Sequence, residues 1–290
     1  MKKITLYIYI LCNLVLAQTQ GLPSKFAVTG FAIDHYKNGD EWYLGAEGAE
    51  KLAETMRKNI KDQYPSISFE KKIYTDNAAT KKKFISSETE NYNFLYYHGH
   101  GKPNHISFYD GGVWNTEKSL GKKKTYWAMF VSCNVFRNGL DQWGDPWSNQ
   151  DPWFDGIHSI LGFASIVWGG TLTRSCGLFN IKTCHQHSYD MEEEFAERWI
   201  KNKETIWEAF KNAVYNQLYD FGDKYSRPWY TKGVVPKIVY RYGYINGKFF
   251  DPWEEKFEKA YQGPVFRSNY KGIGSRWIEF GEPVYEEPKK

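Results

Sequence analysis

Apolar residues fall along this chain in short solid blocks that alternate with spaced stripes. Lys25 to Asp34 (KFAVTGFAID), Ser68 to Tyr74, Asn93 to Tyr97, Thr125 to Val131 and Gly162 to Trp168 are the blocks. Each is bounded by Gly or polar residues, and their imperfect alternation suits strands buried on both faces. Ala49, Leu52, Ala53, Met56 and Ile60 form a stripe at helical spacing, with Pro65 just past its end. Further helices are expected over 81–88, 191–200 and 204–218, the last with Ile206, Phe210, Ala213, Val214 and Leu218 on one face. Strands alternating with helices predict an α/β fold: a three-layer α/β/α sandwich around a mostly parallel sheet. Residues 102–124, rich in Gly, Asn and Lys, interrupt the alternation with an expected hairpin around Asp110-Gly111-Gly112. Residues 138–156 are polar and Pro-rich, and read as a loop. After Arg227-Pro228 the stretch VVPKIVYRYGYINGKFF reads as β structure with an Asn246-Gly247 turn, and the polar tail from Glu254 carries no assigned element. The expected organisation is therefore an α/β domain over 22–225 and a C-terminal, partly β extension over 226–290.

The first 17 residues change the picture of where the protein works. Met1-Lys2-Lys3 precedes the apolar stretch ITLYIYILCNLVLA, and Val15 and Ala17 give the small-residue pattern of a signal peptide cut after Ala17. Ile10 and Leu11 do not suit a lipoprotein site at Cys12. No later stretch reaches 18 consecutive apolar residues, so no membrane partner is expected after cleavage, and the location is secreted or periplasmic. Loss of Lys2 and Lys3 lowers the formal charge from +4 to +2, too little to argue for nucleic acid. The lysine runs at 81–83 and 122–124 read as solvated faces. In an oxidising compartment Cys176 and Cys184, close in sequence, are expected to form a disulfide, which leaves Cys133 as the single thiol.

Candidate chemistry gathers between Asn91 and Asn138. One block ends in His98-Gly99-His100-Gly101, the next in Ser132-Cys133-Asn134. Carboxyl ends of parallel strands are where α/β sheets collect ligands and catalytic groups. A thiol beside an imidazole that accepts its proton is a nucleophile. Gly101 lets the backbone come close to a substrate and turn an N–H toward a developing oxyanion.

The strand–His–Gly motif YYHGHG, followed by a strand ending in Ser-Cys, resembles the signature of clan CD cysteine peptidases, the caspases, legumains, separases and gingipains. The Gly-His-Gly form is most similar to gingipains and the CHAT branch, and FDGIHSILGFASIVWGG is similar to a group of secreted bacterial caspase-like proteins. The resemblance runs over roughly residues 25–220 in element order. It implies a caspase–hemoglobinase-like sheet and a cysteine endopeptidase acting on protein or peptide substrates without a cofactor or a metal. In it Cys133 is the nucleophile, His100 the acid/base, and the backbone N–H groups of Gly101 and Cys133 the oxyanion donors. The segment NVFRNG after Cys133 departs from the caspase pentapeptide. His98 is expected to be structural or part of a pocket wall, and Asp145, Asp151 or Asp155 would favour a basic P1 residue if they line that pocket.

Two rival readings rest on the residues alone. His98 and His100, with His105, suggest a His-ligated zinc hydrolase, although neither an HExxH helix nor a nearby carboxylate accompanies them. Trp143, Trp147, Trp153 and Trp253 in expected loops suggest an exported module that binds glycans or peptides without catalysis. His35 and His158 are expected to be satisfied core or surface residues, and His105 has no role of its own.

Overall fold

The computed structural model describes residues 22–42, 44–137, 153–167, 171–176, 182–187, 189–219, 233–245, 248–260 and 270–281. The leader, Asp145, Asp151, Trp143, Trp147 and the Asn246-Gly247 turn lie outside them.

Among the described residues the fold is a mixed α/β arrangement around an eight-stranded sheet. Its parallel half runs in the spatial order β2 (Ser68–Thr75), β1 (Lys25–Ala32), β3 (Phe94–His98), β7 (Trp127–Val131), β8 (Ser159–Phe163). The blocks β3, β7 and β8 are buried at every position, which is why the sequence shows them as solid rather than alternating.

The helices α1 (Gly45–Gln63), α3 (Asp190–Ala196) and α4 (Ile206–Val214) pack together, α1 against β1, β2 and β3. The stripe Ala49, Leu52, Ala53, Met56 and Ile60 is buried as its spacing predicts. Phe94 of β3 meets Phe195 and Trp199 on this side, while its neighbour Tyr97 meets Phe108 and Phe130 on the other. That second side carries the short helix α2 (Lys81–Ile85) and a small sheet of β4 (Gly101–Lys102), β5 (His105–Phe108) and β6 (Gly111–Trp114). Here the expected hairpin is present, with Phe108 opposite Gly111.

Two expectations need correction. The fifth strand spans Ser159–Phe163, about three residues earlier than its apolar pattern suggests. The run from Ile157 to Val167 is apolar almost throughout, so hydrophobicity cannot fix its ends; pairing of Ser159 with Trp127 does. The boundary near 225 is not a boundary of the fold. β12 (Pro236–Ile245) pairs antiparallel with β8, and β13 (Lys248–Phe250) and β14 (Tyr270–Trp277) pair with β12, so the extension completes the sheet. The tail is accordingly ordered where it supplies β14. Finally, β9 (Thr171–Cys176) and β10 (Lys182–His187) form an antiparallel ladder in which Cys176 faces Lys182 and Cys184 faces Arg174. The side chains of Cys176 and Cys184, and with them the expected disulfide, lie outside the described residues.

Candidate active site

Parallel pairing brings the two candidate positions to neighbouring strand ends. His98 of β3 is in register with Val131 of β7. His100 and Cys133 each come two residues after that last registered pair, at the carboxyl ends of adjacent strands. Gly99 N–H donates to the Val131 carbonyl at 3.2 Å, which keeps the strands joined as they leave the sheet. Gly101 is required here for space, because a Cβ on it would fall on Ser132 Oγ. Asn134, directly after Cys133, is left-handed at φ 55°, which Asn tolerates better than most residues, and turns the chain sharply.

The loop between β1 and α1 builds the surroundings of His100. Asp34 caps α1 from a distance, its carboxylate accepting from Gly45 N–H at 2.6 Å and Ala46 N–H at 3.1 Å. Its carbonyl accepts from Trp42 N–H at 2.8 Å, and its own N–H donates to Asp76 at 2.8 Å. So anchored, the loop holds the His100 ring between Tyr36 and Trp42, each with its ring centre 4.9 Å away. Tyr36 hydroxyl accepts from His100 N–H at 2.6 Å; burial pushes this hydroxyl up to about 12, so it stays protonated. His100 Nε2 lies 3.0 Å from the Glu41 carbonyl oxygen. A carbonyl only accepts, so Nε2 carries the hydrogen in the neutral ring and Nδ1 holds the lone pair. The contact sets the tautomer of the neutral ring, and the two aromatic neighbours fix its orientation.

Tyr97 ties the turn after β3 to β5. Its hydroxyl donates toward the His100 and Ser107 carbonyls, at 2.8 and 2.5 Å, and accepts from Ser107 N–H at 3.1 Å. Burial holds it protonated well above its ordinary range, and Cys133 is near enough to add to that shift. Cys133 is partly exposed, and its sulfur lies 3.5 Å from the Val167 carbonyl. The bond from Ser107 N–H to His100 O makes Gly101 and Ile106 a non-hydrogen-bonded pair of the β4–β5 ladder, so the Gly101 N–H points away from β5.

The other expected residues go elsewhere. His98 is fully buried, its Nδ1 2.7 Å from Tyr96 hydroxyl and 3.2 Å from Glu192 Oε1, and Tyr96 donates to the same carboxylate at 2.5 Å. It clamps β3 to α3 rather than facing a pocket. Asp155 stands before β8, at the opposite edge of the sheet, paired with Lys122 at 3.3 Å; it does not reach the crevice. His105 packs on Trp114, 4.7 Å between ring centres. Trp42 packs near both His98 and His100 while His105 packs on Trp114, and no metal-holding cluster of three ligands occurs among the described residues. Trp153 is buried against Phe130, and Trp253 stacks under Arg276. The sequence reading missed Tyr36, Glu41, Trp42 and Tyr97. Only their positions, after one central strand and within the next, hint at a role.

A cavity of about 800 Å³ opens beside His100, walled by loop residues 36–41 and hairpin residues 107–112.

A family profile described as "Domain of unknown function (DUF6345)" matches residues 51–220, more than half of the chain and including both His100 and Cys133; the chain belongs to that family. No curated protein matches the chain.

Proposed function

We propose that this member of the DUF6345 family is an exported cysteine endopeptidase with a Cys133–His100 dyad on a caspase–hemoglobinase-like, three-layer scaffold. One observation carries the reading: a tautomer-fixed imidazole and a thiol occupy equivalent positions beyond adjacent parallel strands, with Gly101 beside them. Cys133 Sγ–H passes its proton to His100 Nδ1, and the thiolate attacks the scissile carbonyl carbon. Oxyanion charge falls to the N–H groups of Gly101 and Cys133. The C–N bond breaks as His100 returns the proton to the leaving amine, and the acyl group stays on sulfur as a thioester. Water then attacks that carbonyl, giving a proton to His100. Sulfur departs as thiolate, the acyl group leaves as a carboxylic acid, and the proton returns to sulfur. No cofactor is needed for these steps.

The test is labelling with a thiol-reactive peptide electrophile. Wild type should be labelled at one site and Cys133→Ala should not; equal labelling of both removes the nucleophile. A glycan- or peptide-binding module remains the second reading, since Trp114, Tyr244 and Phe249 are exposed aromatics. It predicts retention on a ligand column that Cys133→Ala leaves intact.

A further inference from the structure

We infer that His98 is a positioning residue for the proposed reaction: clamped by Glu192 and Tyr96, it sets the Trp42 ring, and through that ring the orientation of the His100 imidazole. The inference rests on the peptidase reading and adds to it the support behind the base.

The clamp has a defined order of protons. Tyr96 hydroxyl donates its single proton to Glu192 Oε1 at 2.5 Å, so its oxygen is the acceptor in the 2.7 Å contact with His98 Nδ1. His98 Nδ1 therefore carries a hydrogen, and Glu192 Oε1 lies 3.2 Å from it. Burial, with Glu192 beside it, keeps the Tyr96 phenol protonated. All three side chains are fully buried. Helix α1 lies directly on them: a Cβ on Gly48 would stand 3.1 Å from Glu192 Oε1, His98 Nδ1 and Tyr96 hydroxyl alike. Stability alone does not account for such a network. A buried ionic cluster adds little over apolar residues of the same volume; what it supplies is one geometry.

That geometry is passed on through Trp42. The indole meets the His98 ring in a T-shape at 6.0 Å and the His100 ring in another at 4.9 Å. Its Nε1 is buried with no hydrogen-bond partner among the described residues, so packing orients the ring. The Asp34 carbonyl holds the Trp42 backbone N–H at 2.8 Å, which fixes the main chain and leaves the side chain to its neighbours. Trp42 and Tyr36 are the two aromatic walls of His100, so a displaced His98 moves one of them.

Nitrogen NMR and kinetics on the full chain test this. The neutral His100 ring should show the Nε2–H tautomer alone in wild type and a mixture of tautomers in His98→Leu. The same variant should lower kcat by about tenfold and leave KM unchanged, since neither His98 nor Trp42 lines the cavity. Trp42→Phe should act alike, and the double variant should lose no more than the worse single one. Trp42→Phe, on the loop, keeps the test open where His98→Leu does not fold. Losses that multiply in the double variant overturn the route through Trp42. A His100 tautomer unaltered in the folded variants overturns the positioning role and leaves the peptidase standing. If wild type cleaves no peptide, the peptidase reading falls, and the nitrogen spectra alone decide whether His98 orients His100.

Discussion

The two edges of the parallel sheet use similar residues to different ends. At the carboxyl edge His100 sits between two aromatic rings, one nitrogen held by the Glu41 carbonyl and a cavity at its side. At the amino edge His158 also stacks on an aromatic, Tyr126, but Glu255 closes over it. The Glu255 carboxylate accepts from Trp127 Nε1 at 2.8 Å and lies 3.0 Å from His158 Nδ1. All three residues are buried, and they fasten the extension to the core. An imidazole with a carboxylate clamp and no solvent is a structural joint. One with a carbonyl clamp and a cavity is the arrangement that the proposed proton transfer requires. The contrast separates substitutions that stop chemistry from those that loosen the fold.

Cys133→Ala gives the largest effect at the open edge: peptide hydrolysis falls by roughly four orders of magnitude or more while the melting temperature is kept. An unchanged rate would transfer the nucleophile to another residue. His100→Ala costs roughly 10²–10⁴ in kcat, again with little loss of stability. At the closed edge the effect is on folding. Glu255→Ala strands His158 and Trp127 Nε1 in a buried site and should cost about 3 kcal/mol in chemical denaturation. Gly101→Ala spans both edges' behaviour: the new methyl meets Ser132 Oγ, costing about 1–3 kcal/mol as well as activity, and Ser132→Ala in the same chain should recover part of the stability.

The smallest effect is a pH dependence. Burial lowers His105 from 6.5 to about 4, with Lys102 adding to the shift, and its Nδ1 is buried without a hydrogen-bond partner. The unfolded chain takes up this proton first, so the group's contribution to stability is whole above pH 6.5. It falls away as the pH drops through 6.5 toward 4. His105→Gln should flatten the melting temperature across that window relative to wild type; an unaltered acid limb would place the sensitivity elsewhere.

Much of the fold was legible in the pattern. Solid blocks such as FLYY and WAMFV have no polar face, so they demand a sheet covered on both sides, and the spacing of Ala49 to Ile60 admits only a helix. The positions of His100, Cys133 and Gly101 just past strand ends were legible as well, because a strand followed by His-Gly or by Cys is a local feature. What lay beyond the sequence is set by contacts distant along the chain. The placement of β8 needed its pairing with β7. Absorption of β12, β13 and β14 into the sheet needed the unpaired edge of β8, which no local composition reveals. The fates of His98 and His100, two residues apart with the same side chain, were decided by what arrived from elsewhere: Glu192 from α3 for one, the Glu41 carbonyl from the loop after β1 for the other. Local chemistry fixes which groups are present at a strand end. Tertiary packing alone decides which partners each of them meets, because those partners are brought in across the fold.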